Sequence, residues 1–231
     1  VFLAIAAFSL SLLGTFLVRS GVIVSVHAFA TDPARGVFIL ILLAIVTGGS
    51  LLLYGIRASN IKSVGRFTMF SREGMLWGNN ILLVAATIIV LMGTLLPLVH
   101  KEMGLGTISI GEPFFNQMFS FLIIPFALIL GIAPLVRWKQ DKVNKFVKMP
   151  VFIISASVLL AFVWLKMEFE EVKILAFSGS ALFIWIVLYT LLELQQTLKK
   201  VPLTKLPLSH FAMVFGHIGL AFIIAGVGLT S

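Results

Sequence analysis

Cysteine is absent from the 231 residues. Disulfides, a thiolate metal site and a cysteine nucleophile are excluded with it. Charge is scarce: 11% of residues are Asp, Glu, Lys or Arg, against about a quarter in soluble domains. Long polar stretches are missing too, which leaves no room for a separate soluble catalytic domain. In their place, 60% of the residues are hydrophobic and the mean hydropathy is +1.13. That content excludes a disordered chain. The formal net charge of +8 raises nucleic acid as a partner, so the positions of the charges decide.

Seven apolar runs are each long enough to cross a bilayer, near 1–18, 37–56, 76–98, 119–136, 150–165, 174–192 and 211–229. The expected fold is all-α, one polytopic membrane bundle over 1–231. The first run starts without an initiator Met or a charged leader, so the chain reads as a segment cut from a longer protein, and no signal peptide is assigned. Pro125 and Pro134 should interrupt the fourth run, and the fifth needs Lys166 to snorkel at its end.

The loops alternate in charge. Arg57, Lys62, Arg66 and Arg72 fall in one, Arg137, Lys139, Lys142, Lys145 and Lys148 in another, and Lys199, Lys200 and Lys205 in a third. One side thus collects twelve basic and three acidic residues, the other five basic and six acidic. The positive-inside rule makes the basic side cytoplasmic, with the N-terminus inside and the C-terminus outside. The basic clusters are then topology signals and contacts to membrane lipid, with no nucleic acid as partner. No span carries a charge near its middle, which disfavours ion pumps, and the last span lacks the Lys a retinal Schiff base requires.

Chemistry therefore rests on four histidines. His27 follows an apolar stretch in the first outer loop and precedes Asp32-Pro33, an N-cap and first helical residue for the second span. An apolar ledge with one imidazole, flanked by Arg19 and Arg35, suits a flat amphipathic cofactor with carboxylates, though an interfacial histidine without a special partner fits as well. His217 lies about two turns into the last span between Gly216 and Gly219. An imidazole in hydrocarbon is functional by default, and the glycines leave room for a neighbouring backbone or a planar ligand. The alternative is a helix-packing histidine bonded to a carbonyl. His210 shares its helical face at the inner mouth, and His100 ends the third span; interface and loop duties suit these two. Asn79 and Asn80 are expected to tie helices together. No Ser-His-Asp grouping, carboxylate pair or phosphate loop is present.

The run Leu13-Gly-Thr-Phe-Leu-Val-Arg19-Ser-Gly-Val, then Ser25-Val-His27-Ala-Phe-Ala-Thr-Asp32-Pro33-Ala-Arg35-Gly36, resembles the CcmF family, haem lyase subunits of bacterial cytochrome c maturation. Gly93-Thr-Leu-Leu-Pro97 and Leu105-Gly-Thr-Ile-Ser-Ile-Gly-Glu112-Pro-Phe-Phe-Asn116 are similar to the same family. The resemblance implies a multi-pass protein of the bacterial inner membrane. Such a protein takes haem from the chaperone CcmE and works with CcmH/CcmI-type subunits that present the apocytochrome c. Haem is then attached by thioether bonds to a Cys-x-x-Cys-His motif. It further implies substrate haem at the outer face and a resident b-type haem in the bundle. His27 matches the second external iron ligand and His217, rather than His210, the second intramembrane one. The first ligand of each pair, a tryptophan-rich outer segment and a large outer domain are expected outside 1–231. A paralogue of nitrite reductase maturation shares these features. No residue is assigned as catalytic, since two axial imidazoles would hold haem by positioning. A transporter of haem or another small amphipathic solute is the alternative, and a structural scaffold a third reading.

Overall fold

The computed structural model describes residues 1–22, 32–60, 67–140 and 148–230. These are helical throughout their long runs, with no strand among the described residues. A chain in hydrocarbon must satisfy every backbone N–H and C=O internally, and an apolar run of this length does so as a helix. The helices are α1 (Phe2–Ser20), α2 (Pro33–Arg57), α3 (Arg72–Glu102), α4 (Glu112–Ile132), α5 (Lys148–Glu168), α6 (Ile174–Leu198) and α7 (Leu208–Thr230). All seven are long and apolar enough to cross a membrane, and the protein is a multi-pass membrane protein.

The chain divides into two compact units, Val1–Gly65 and Arg66–Ser231. In the first, α1 and α2 form a hairpin. Gly21 ends α1 in the left-handed region at φ 76°, the conformation glycine adopts without penalty. Asp32 starts α2, its carboxylate accepting from the N–H groups of Ala34 and Arg35 at 3.1 and 3.2 Å, with Pro33 behind it. The Asp32 N–H donates to the Arg19 carbonyl at 3.0 Å, so the two helix ends are tied directly. Gly36 lies against Ser20 there, where an added Cβ would come within 3.0 Å of the Ser20 Cα. Further along, the Ser9 and Thr47 hydroxyls meet at 2.7 Å, and the Phe2 and Tyr54 rings at 4.3 Å.

The second unit is organised on α6, which packs against α4, α5 and α7. Its centre joins Trp185, Ile186 and Tyr189 to Ala127, Ile153 and Ala221. Trp185 is 2% exposed, and its indole N–H donates to the Ala127 carbonyl at 3.1 Å. Gly131 faces that indole without a Cβ that would collide with it. Gly179 on α6 and Gly228 on α7 bring two backbones into contact: a Cβ on Gly228 would stand 2.8 Å from the Leu175 carbonyl oxygen. Close approach through small residues is how membrane helices gain dispersion contacts where lipid leaves little hydrophobic drive between them.

Two expectations change. Pro125 does not interrupt the fourth span, because α4 continues through it and ends at Ile132; a proline inside a helix removes one N–H donor, which neighbouring helices in a membrane tolerate. Pro134 does mark the end, in a short 3₁₀ turn over Ala133–Leu135. Asn79 and Asn80 make no hydrogen bond across helices among the described residues. Asn79 instead faces a cleft.

Candidate functional site

At the end of the second unit that carries the basic residues, α3, α4, α6 and α7 enclose a cleft of about 430 Å³. His217 and His210 both line it, together with Arg72, Asn79 and Glu193. Seven residues separate the two histidines, about 10 Å of helix rise, so His217 sits deep and His210 at the mouth. The walls between them are apolar, with Met75, Leu76, Ile129, Leu130 and Met213.

The two imidazoles are held differently. His217 Nδ1 lies 2.8 Å from the Met213 carbonyl oxygen, one turn back on the same helix. A carbonyl only accepts, so Nδ1 carries the hydrogen and Nε2 keeps its lone pair. That is the arrangement in which a protein orients an imidazole as a metal ligand, and it also fits a histidine satisfied on one side only. Nothing lies within 4 Å of where a Cβ would stand on Gly216 or Gly219. Both glycines are exposed and neither lines the cleft. His210 faces a carboxylate instead, its Nε2 lying 3.4 Å from Glu193 Oε2, with both side chains close to nine-tenths buried. The other Glu193 oxygen accepts from the Thr197 hydroxyl at 2.9 Å. Between the two, His217 is the one whose Nε2 makes no hydrogen bond or ion pair among the described residues.

Arg72 is the cleft's fixed cation. Its Nη2 donates to the Pro134 carbonyl, and its guanidinium carbon stands 5.2 Å from the Trp138 ring centroid. The neighbouring acid is occupied, because Glu73 accepts from the Lys139 N–H at 2.7 Å. Thr68 and Arg72 N–H groups bond to the carbonyls of Lys139 and Arg137, locking the chain before α3 to the chain after α4. Reading the charges as a topology pattern accounts for Arg72 only as one more basic residue. Glu193 is one of the three acidic residues counted on the basic side. Neither is placed in a site by spacing.

His27 lies outside the described residues. The structure does show what brackets it, the Arg19–Asp32 backbone bond and the Arg35–Asp32 ion pair at 3.2 Å. His100 Nδ1 contacts the Gly106 carbonyl at 3.0 Å at the exposed end of α3, a loop-closing role. A second groove of about 440 Å³ between α4, α6 and α7 has no titratable side chain in its lining.

Over 228 residues, 99% of this chain, the sequence is 48% identical to the cytochrome c-type biogenesis protein CcmF of Escherichia coli (strain K12), covering 35% of that protein. Identity is again 48%, over the whole chain and 36% of the relative, for CcmF of Haemophilus influenzae. The chain belongs to the CcmF family. It spans about a third of the length of these CcmF relatives. A solved structure named as the cytochrome c haem lyase CcmF shares the fold, with a TM-score of 0.62 over 87% of this chain and 31% of that one, at 19% identity. No protein-family model matches the chain.

Proposed function

We propose that the chain is the haem-holding membrane portion of a CcmF-type cytochrome c haem lyase. In this role it presents substrate haem at the outer face for thioether attachment to the Cys-x-x-Cys-His motif of an apocytochrome c. The observation that carries the reading is 48% identity across nearly all of the chain to a protein named for cytochrome c-type biogenesis. The His217 cleft supports it chemically.

His27 would ligate the substrate iron from a loop whose two ends are tied together at Arg19 and Asp32. Closing a loop at its base lowers the entropy lost when the loop orders on a ligand. His217 would hold a resident b-type haem through Nε2. When bound, that group supplies one-electron redox chemistry at its iron. The residues fit it: Met213 fixes the imidazole's tautomer, and Met75, Leu76, Ile129 and Leu130 give the cleft apolar walls. The basic ends of the helices are then cytoplasmic, the N-terminus inside and the C-terminus outside, in the bacterial inner membrane. CcmE would deliver the haem, and CcmH/CcmI-type subunits would present the apocytochrome.

The test is maturation in cells that supply the remaining machinery. His27→Ala should abolish holocytochrome c while the membrane level of the protein stays normal; undiminished holocytochrome would remove His27 from the scheme. Haem accumulation in vesicles without any apocytochrome would move the reading to a transporter.

A further inference from the structure

The cleft has one polar atom left over after its internal contacts are counted. Among the described residues, the buried polar atoms lining it without a hydrogen bond are Arg72 Nε, Glu193 Oε2 and His210 Nε2. The last two face each other at 3.4 Å. Arg72 has no such counterpart. Its guanidinium is fixed by the Pro134 carbonyl and the Trp138 ring, Arg72 lines the cleft, and its Nε–H is buried without an acceptor. A buried donor left unsatisfied costs about 1–3 kcal/mol, more when it belongs to a charged group. A preset, uncompensated guanidinium is the arrangement that binds carboxylates.

We propose that Arg72 is the carboxylate-binding residue of this site and takes a propionate of the haem whose iron is held by His217. The inference rests on the reading of His217 as an iron ligand and adds what fixes the ligand's orientation. The cleft is graded: the deep imidazole and apolar walls suit a macrocycle, and the guanidinium sits with the polar mouth, where the carboxylate edge would lie. Glu193, the one acid in the lining, is turned to His210 and Thr197, so its charge is engaged away from an incoming carboxylate. The orientation follows: iron deep at His217, propionates at the basic end.

The experiment uses the full natural chain, expressed under haem limitation and carrying His27→Ala so that only the inner site titrates. Protohaem and its dimethyl ester, which lacks the carboxylate charges, are each titrated and followed by Soret absorbance. The chain with Arg72 intact should prefer the free acid by roughly tenfold to a hundredfold, the range of one charge-assisted hydrogen bond. Arg72→Gln should bring that ratio close to one while keeping ester affinity, and Arg72→Lys should retain part of it as a less directional charge. An unchanged acid-to-ester ratio in Arg72→Gln overturns the assignment, as does equal binding of both compounds with Arg72 present. Retained Soret binding in His217→Ala would instead remove the haem reading itself. Should Arg72→Gln not fold, Arg72→Lys alone decides: an undiminished preference there contradicts directional capture by the guanidinium.

Discussion

The hairpin of α1 and α2 and the five-helix unit are both apolar, yet they are held by different contacts. In its most apolar window α1 has no residue buried by the rest of the chain, whereas α6 has 39% buried. The hairpin depends on a hydroxyl pair, a ring pair and the backbone tie from Asp32 to Arg19. The larger unit depends on Trp185, on its indole bond to α4 and on the Gly179–Gly228 contact. Apolar content alone therefore does not make a core in a membrane, since lipid solvates Leu as well as another helix does. Packing density and small residues make it. The proposed roles divide along the same line. The packed unit fixes His217 as a resident ligand needs, and the hairpin offers a tied loop with His27, as a passing substrate needs.

That contrast can be broken by mutation. Trp185→Ala removes the largest fully buried side chain and its hydrogen bond, and should lower stability by about 3–5 kcal/mol, measured as reversible unfolding in mixed micelles. Gly228→Val pushes a side chain at the Leu175 carbonyl and should cost about 1–3 kcal/mol through overpacking, with α6 and α7 moving apart. Asp32→Ala removes the α2 cap and should cost about 1 kcal/mol, seen as faster exchange of the Ala34 and Arg35 amides while the second unit is unaffected. Ser9→Ala deletes one hydroxyl bond between helices and should cost about 0.6 kcal/mol. If the hairpin changes equal Trp185→Ala in size, the distinction between the two units fails.

The spans were legible because an apolar run near twenty residues has one stable form in a bilayer. Their ends were less so. The α5 helix extends from Lys148 to Glu168, beyond its apolar run, because charged residues at the interface continue a helix as well as they end it. Pro125 looked like a break and is not, since losing one donor is tolerated when the residues around it remain helical. The cleft was illegible for a different reason. Every span is apolar almost all round, so periodicity does not distinguish a face turned to lipid from one turned to a neighbour. His217 stood out as an imidazole in hydrocarbon, but its free nitrogen depends on a rotamer that reaches the Met213 carbonyl. Arg72 carried a clear charge signal and an unreadable position.

Reduced-minus-oxidised absorption spectra of the full natural chain bearing His27→Ala or His217→Ala would test the division of labour most directly. A b-type signal that survives His27→Ala and disappears in His217→Ala, with both proteins folded and membrane-inserted, is the expected result. A b-type signal that survives His217→Ala would contradict it and leave the cleft of α3, α4, α6 and α7 without a resident haem.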